Sequence, residues 1–276
     1  RQIMNYKYEN NNIYLNQPDF TLDETLDCGQ AFRWTKISDN TYQGFSADKS
    51  LKIGEENGLI ILHNTSEKEF LDYWCNYFDL YTDYGELKEL LSQDETLKKA
   101  CAFAPGIRLL KQDKWEALCS FIISQNNNIP RIKGIVERLC ENFGDKKDFG
   151  YTFPSAERLS KLSVEDFQPL RAGFRARYIL DAAKKVASGE IDLEAVSKLP
   201  LDEARPELMK ICGVGVKVAD CALLYGMYRL EFFPVDVWIR RVIEQYYPAG
   251  LPECIKGYEG IAQQYLFHYI RNLSDK

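Results

Sequence analysis

A lysine attacks carbon only as the neutral amine, and the stretch around Lys217 gathers residue types that such chemistry uses. From Leu208 to Tyr228 the chain reads LMKICGVGVKVADCALLYGMY, two helical patterns joined by Cys212-Gly213-Val214-Gly215. The spacing predicts a helix-hairpin-helix over 206–228. Two glycines two positions apart permit positive φ and close backbone approach, so the amides of Gly213, Val214 and Gly215 can meet a phosphate oxygen. Such a turn grips a DNA backbone without reading its sequence, although a plain αα-hairpin with glycines for packing has the same pattern. Lys217 falls in the first turn of the second helix, where the positive end of the dipole disfavours an ammonium ion. Dry surroundings at such a position favour the neutral amine. Nineteen residues later Phe233-Pro234-Val235-Asp236 precedes the helical pattern VWIRRVIEQYY. Asp236 is placed to cap that helix, and a capping carboxylate keeps a second oxygen for a developing cation. Read alone, Lys217 also suits an exposed helix lysine and Asp236 a cap and nothing more.

The elements that position these residues change character along the chain. From Ile13 to Asn64 short runs rich in Tyr, Phe, Ile and Thr (AFRWTKI, TYQGF, LKIG, LIILH) alternate with the turn-like pieces at 38–40, 47–50 and 55–58. This spacing predicts an antiparallel meander. After Glu67 the period lengthens to that of helices, as in EKEFLDYWCNYF, KWEALCSFIIS, RIKGIVERLCENF and RARYILDAAKKVASG. The fold class is therefore α+β: a small N-terminal antiparallel sheet lobe over 1–80, its last part helical, packed on a mainly helical body over 81–276.

The 276 residues are 45% hydrophobic and 28% charged, a globular balance that excludes disorder as the main state. No apolar run reaches the length of a membrane span, and the first residues lack a signal-peptide layout, which points to an intracellular protein. A net charge of -6 argues mildly against a nucleic-acid partner, but the whole-chain charge does not decide one face. The eight cysteines never occur as Cys-x-x-Cys, so no zinc ribbon is visible. Only His63 and His268 are present, which disfavours a histidine metal centre or a catalytic triad.

The hairpin, Lys217 and the Pro-Val-Asp ending at 236 resemble the helix-hairpin-helix DNA glycosylase superfamily. Within it, Cys28-Gly29-Gln30-Ala31-Phe32-Arg33-Trp34, Ser124-Gln125-Asn126-Asn127-Asn128-Ile129 and Gly173-Phe174-Arg175-Ala176-Arg177-Tyr178 are similar to the 8-oxoguanine DNA glycosylase family, Ogg1 type. The resemblance implies a bifunctional glycosylase and AP lyase acting on duplex DNA with 8-oxoguanine opposite cytosine. It implies that Lys217 attacks C1′ and Asp236 stabilises the sugar cation. Gly29 would read the oxidised base through its carbonyl, Cys221 and Phe267 would form the pocket walls, and Gln263 would bond the Watson-Crick edge. Asn126 would fill the vacated space, Arg131 and Arg175 would contact the estranged cytosine, and Phe174 would wedge beside it. The amides of Gly213, Val214 and Gly215 would hold the DNA backbone, and the carbonyls of Met209, Ile211 and Val214 could bind a monovalent or divalent cation. No cofactor is implied for catalysis. The superfamily branch with an iron-sulfur cluster has four closely spaced cysteines after the catalytic helix, whereas only Cys254 lies beyond 221 here.

Two departures stand out. The family's usual His two positions after the catalytic Asp is Trp238, and its acidic partner in the last helix is Ile270. The paired loss points to local repacking. The family often has Tyr where Phe174 stands. Arg240 and Arg241 read as solvated helix charges that could assist with phosphate, and the run Arg171, Arg175, Arg177, Lys184 and Lys185 reads as a partial DNA contact. The expected protein is a monomer, away from membranes, in a bacterial cytoplasm or, in a eukaryote, a nucleus. Two alternatives stay open: a glycosylase for alkylated or other damaged purines, and a noncatalytic DNA-binding hairpin protein.

Overall fold

The computed structural model describes residues 4–274. The chain divides into two compact units, one of Arg1–Gly44, Leu51–Lys111 and Leu230–Lys276, the other of Phe45–Ser50 and Gln112–Arg229.

The first unit is built on an antiparallel sheet of β1 (Asn5–Glu9), β2 (Asn12–Asn16), β3 (Trp34–Ser38), β4 (Thr41–Ser46), β5 (Lys49–Glu56) and β6 (Leu59–His63), in the order β1-β2-β6-β5-β4-β3. The expected meander is β3 to β6. Its apolar side is set by cross-strand pairs: Ile13 faces Leu62, Leu15 faces Ile60, and Ile53 faces Leu62 from the other neighbour, all buried. The helical stretch at 67–77 supplies Phe70, Trp74 and Tyr77 to the same core. There the Trp34 indole N–H donates to Tyr77 Oη at 2.8 Å. β1, NYKYE, lies before the stretch read as sheet; its two tyrosines alternate with polar residues, but most of the strand is exposed.

The division differs from the expected 1–80 and 81–276. The helices Val237–Tyr246 and Glu259–Ser274 pack on each other, and the latter packs on Glu95–Phe103, so the C-terminal segment shares a unit with the sheet. Their apolar faces find cover there, and no sequence-local signal announces so distant a partner.

Arg108 ties this unit together. It is 0% exposed, and its guanidinium donates to the carbonyls of Asp19 (3.1 Å), Asp79 (2.8 Å) and Pro18 (3.1 Å) while lying 4.5 Å from the Tyr84 ring centroid. The Asp79 carboxylate, also buried, takes Lys111 at 2.9 Å and the hydroxyls of Thr82 and Tyr84.

The second unit is arranged around the helix Lys114–Ile123, every residue of which from Glu116 to Ile123 is buried. Around it pack Ile129–Phe143, Arg175–Ala187, Val216–Cys221 and the π-helical turn Ala222–Gly226. Leu201–Leu208 is the first helix of the hairpin, so the motif starts before the expected position 206, and Pro206 lies inside that helix. Its second helix loosens into the π turn by Ala222, and Tyr228 already has φ 52. The two hairpin helices are clamped by a two-point ion pair: Arg205 Nε to Asp220 Oδ1 at 2.7 Å and Nη2 to Oδ2 at 3.2 Å.

Two outcomes follow from the first unit. Replacing Arg108 by Met strands the buried carbonyls that it serves, and should cost about 3 kcal/mol or more, read as a Tm lowered by roughly 6–12 °C. Arg108→Lys should recover only part of this, since an ammonium lacks the planar fork. His268 is pushed below its ordinary 6.5 by burial and then by Arg271, and His63 by burial and then by Lys52. The unfolded chain then binds more protons than the folded one in the window beneath 6.5, so stability is full above that value and falls as pH drops through the lowered ones. Thermal melts at ~pH 7.5 and ~pH 5.5 should show this loss, and His268→Gln should shrink it.

Candidate active site and nucleic-acid interface

In the second unit, the hairpin turn is shaped by Gly213. Its φ is +76°, and a Cβ added there would run into the Tyr178 ring, so both the conformation and the space exclude a side chain. The Val214 N–H closes the turn on the Ile211 carbonyl at 3.0 Å. Gly215 then serves as an extended N-cap with no side-chain cap, and it and Val216 are exposed. The first amides of the second helix therefore have no side-chain cap among the described residues, an arrangement suited to an anion.

Lys217 enters in that first turn and is half-buried. Its Nζ lies 3.4 Å from Ser124 Oγ and 5.5 Å from the centroid of the Phe121 ring. The Ser124 hydroxyl donates to the Phe121 carbonyl at 2.7 Å, so its lone pairs face the lysine as acceptors. The amine thus rests on an aromatic face and one hydroxyl. Cys221 is buried one turn beyond Lys217 on the same helix.

Asn126 is exposed in the loop before the helix Ile129–Phe143 and adopts φ 46, the left-handed region that asparagine tolerates. That loop is held by Arg175, a residue 2% exposed, whose guanidinium directs Nε to the Gln125 carbonyl (2.9 Å), Nη1 to the Ala172 carbonyl (3.2 Å), and Nη2 to the carbonyls of Gln125 and Asn126, the latter at 2.9 Å. Four of its five N–H groups are so engaged. Burial, and then the charge of Arg131, lower the pKa of Arg175. Arg131 is exposed in the first turn after the Asn128 cap. Phe174 is exposed and carries the Arg175 guanidinium over its ring at 4.5 Å.

In the first unit, Gly29 has φ 87 and follows buried Cys28, whose carbonyl accepts from Gln264 Nε2 at 3.3 Å. Gln263 is 4% exposed and donates to the Pro234 carbonyl at 3.1 Å, which ties the last helix to the segment ending in Asp236. Phe267 is half-buried one turn after Gln263. Asp236 is a true N-cap: its Oδ1 accepts from Trp238 N–H at 3.0 Å and Ile239 N–H at 2.8 Å, so Oδ2 lies outside the cap. Trp238 carries Arg241 at 5.0 Å from its ring centroid, and Ile270 is 9% exposed.

The structure thus gathers Lys217, Cys221, the hairpin amides, Asn126, Arg131, Phe174 and Arg175 in one unit, and Gly29, Asp236, Gln263 and Phe267 in the other. Sequence reasoning passed over Phe121, Arg205 and Asp220, and gave Ser124 and Tyr178 no role beyond their place in two motifs. Phe121 and Ser124 stand three apart at the end of one helix, a spacing that would have put them on one face. Nothing local tells that Lys217 would lie against that face.

Residues 12–118 match the family model for the N-terminal domain of 8-oxoguanine DNA glycosylase, and residues 119–252 match that of the HhH-GPD superfamily of base excision DNA repair proteins. The chain is 31% identical over 277 residues to the N-glycosylase/DNA lyase of Saccharomyces cerevisiae, covering 88% of this chain and 72% of that one. It is similar to the structure of MBOgg1 with a low affinity DNA ligand, at TM-score 0.93 and 42% identity over 99% of this chain and 100% of the other. It is also similar to the Clostridium acetobutylicum 8-oxoguanine glycosylase/lyase bound to double-stranded DNA with cytosine opposite 8-oxoG, at TM-score 0.91 and 36% identity over 99% of each chain. With both halves matched and the hairpin, lysine and Pro-Val-Asp run in place, the chain belongs to the Ogg1-type 8-oxoguanine DNA glycosylases of the helix-hairpin-helix superfamily.

Proposed function

We propose that this protein excises 8-oxoguanine from duplex DNA and then nicks the strand, using Lys217 as the nucleophile. The observation that carries the reading is the setting of that amine: half-buried, one turn from uncapped hairpin amides, and touching only an aromatic face and a hydroxyl acceptor among its described contacts. A phosphate held at the Gly213 to Gly215 turn brings the backbone to the helix on which the lysine stands. C1′ is hidden in the stacked duplex, so the nucleotide has to be rotated out. The Asn126 loop and the Phe174 ring are the groups offered to the gap and to the estranged cytosine, together with Arg131. Arg175 can join them with its remaining N–H or with donors released from the loop.

The Lys217 amine then forms a bond to C1′ as the glycosidic bond breaks; the departing base takes the bonding electrons, and with them the proton that the alkylated nitrogen gives up. The lone pair on nitrogen opens the sugar ring to a Schiff base. That iminium acidifies C2′–H, and loss of the proton with departure of the 3′ phosphate completes β-elimination. Asp236 stabilises the cationic sugar through its uncapped oxygen. Oxidation at C8 places a hydrogen on N7, and a carbonyl at Gly29 would accept it where guanine offers only an acceptor. Cys221 on the lysine's helix, and Gln263 and Phe267 on the last helix, are the further side chains that this reading assigns to the extruded base. A metal is not needed for these steps. The carbonyls of Met209, Ile211 and Val214 could hold a cation that shares a phosphate oxygen. That of Ile211 already accepts one N–H and has one lone pair left, which fits a loosely held ion. The protein works with the DNA, in a cytoplasm or nucleus.

Borohydride should trap wild type on a duplex containing 8-oxoguanine as a covalent adduct, whereas Lys217→Gln should form none while still binding the duplex. Tight binding without a wild-type adduct would leave a noncatalytic binder, and excision confined to alkylated purines would move the enzyme to another substrate. Asp236→Asn keeps an oxygen for the cap and loses the charge, so single-turnover excision should fall about 10²–10³-fold with Tm nearly unchanged. Asp236→Ala should add a stability loss of about 1 kcal/mol from the missing cap.

A further inference from the structure

The helix Arg175–Ala187 carries the wedge at its start and touches the hairpin along one face, where Tyr178, Asp181 and Lys185 stand in register. Asp181 Oδ2 accepts the Cys212 N–H at 2.7 Å and pairs with Lys185 Nζ at 3.1 Å. Lys185 Nζ donates to the Lys210 carbonyl at 2.6 Å. Two side chains of one helix therefore hold the backbone on the approach to the turn, and the Tyr178 ring fills the space that the absent Gly213 side chain leaves. The same ring meets Phe174 edge-on at 5.6 Å between centroids. Phe174 carries Arg175, and Arg175 holds the carbonyls of Gln125 and Asn126. An unbroken series of contacts thus runs from the hairpin amides to the loop offered to the opposite base.

An acidic side chain beside a phosphate-gripping turn weakens its attraction for DNA, so Asp181 is not explained by backbone binding. Its bond to Cys212 and its pairing with Lys185 are explained if the turn has to be fixed relative to the wedge.

We propose that Asp181, Tyr178 and Lys185 are positioning residues that couple the hairpin's grip on the DNA backbone to discrimination of the base opposite the lesion. This rests on the function proposed above. A phosphate drawn onto the turn presses it against Asp181 and Tyr178, which sets the helix and with it Phe174, Arg175 and the Asn126 loop.

The test is single-turnover excision of 8-oxoguanine opposite cytosine and opposite adenine. In wild type the cytosine duplex should react faster. Asp181→Ala should narrow that ratio by about five-fold while still giving the borohydride adduct, and Asp181→Asn, which keeps an acceptor for Cys212, should restore most of it. Should Asp181→Ala fail to fold, Lys185→Met in the same assay decides, with narrowing expected in the same direction. Equal slowing on both duplexes, or no change, overturns the coupling, because a structural or purely phosphate-binding role moves both rates alike. A wild type with no preference between the two bases also overturns it. A wild type with no excision at all removes the underlying function instead, and so is told apart from either.

Discussion

A chain can present its amides to a phosphate only where nothing of its own stands in front of them, and in this protein that condition is met at Gly213. The left-handed φ and the Tyr178 ring behind it leave no room for a Cβ. The turn in turn fixes where the next helix starts. With Gly215 as N-cap, the lysine two positions on falls in the first helical turn, close to the uncapped amides and against Phe121 and Ser124. The Arg205 to Asp220 clamp holds that second helix to the first, one turn of side chains from Lys217. Moving the start of this helix by one residue would swing Lys217 by about 100° around its axis, off Phe121.

Part of the acidic charge is engaged within the fold itself. Asp83, Asp94, Asp113, Asp192 and Asp236 are N-caps whose carboxylates accept helix amides, and Asp79 and Asp220 are buried against Lys111 and Arg205. Their charge is met by backbone dipoles or by a partner cation. Arg131, Arg171, Arg177 and Lys184, by contrast, are exposed in the same unit as the hairpin. A count of charges cannot separate these two populations, whereas their hydrogen bonds do.

What was legible in the sequence was whatever a local pattern encodes. The meander shows in its alternation and turns, the hairpin in its glycines, and the Asp236 cap in the helical run that follows it. Arg108 was not legible. Its partners are main-chain carbonyls at 18, 19 and 79, which any residue would supply, so nothing at those positions marks it. Arg175 was legible as part of a motif, but its engagement with the carbonyls of Gln125 and Asn126 was not, for the same reason. The grouping of the C-terminal helices with the sheet was hidden because helix packing depends on which apolar face is left uncovered.

The two departures from the family pattern show how a cap separates from the side chain next to it. Trp238 serves the cap through its backbone N–H, which every residue except proline could donate, so losing an imidazole there leaves the hydrogen bonds to Asp236 intact. What changes is the side chain. An imidazole at this position would look to an acid in the last helix to set its tautomer and charge, and here that helix offers the apolar Ile270. An indole makes no such demand. It instead gives its face to Arg241, so the helix that Asp236 caps still carries a cation beside position 238. The replacement at 238 and the replacement at 270 are therefore consistent with each other: with no titrating ring at 238 to pair with, an acid at the buried position 270 would need another partner, and an isoleucine does not.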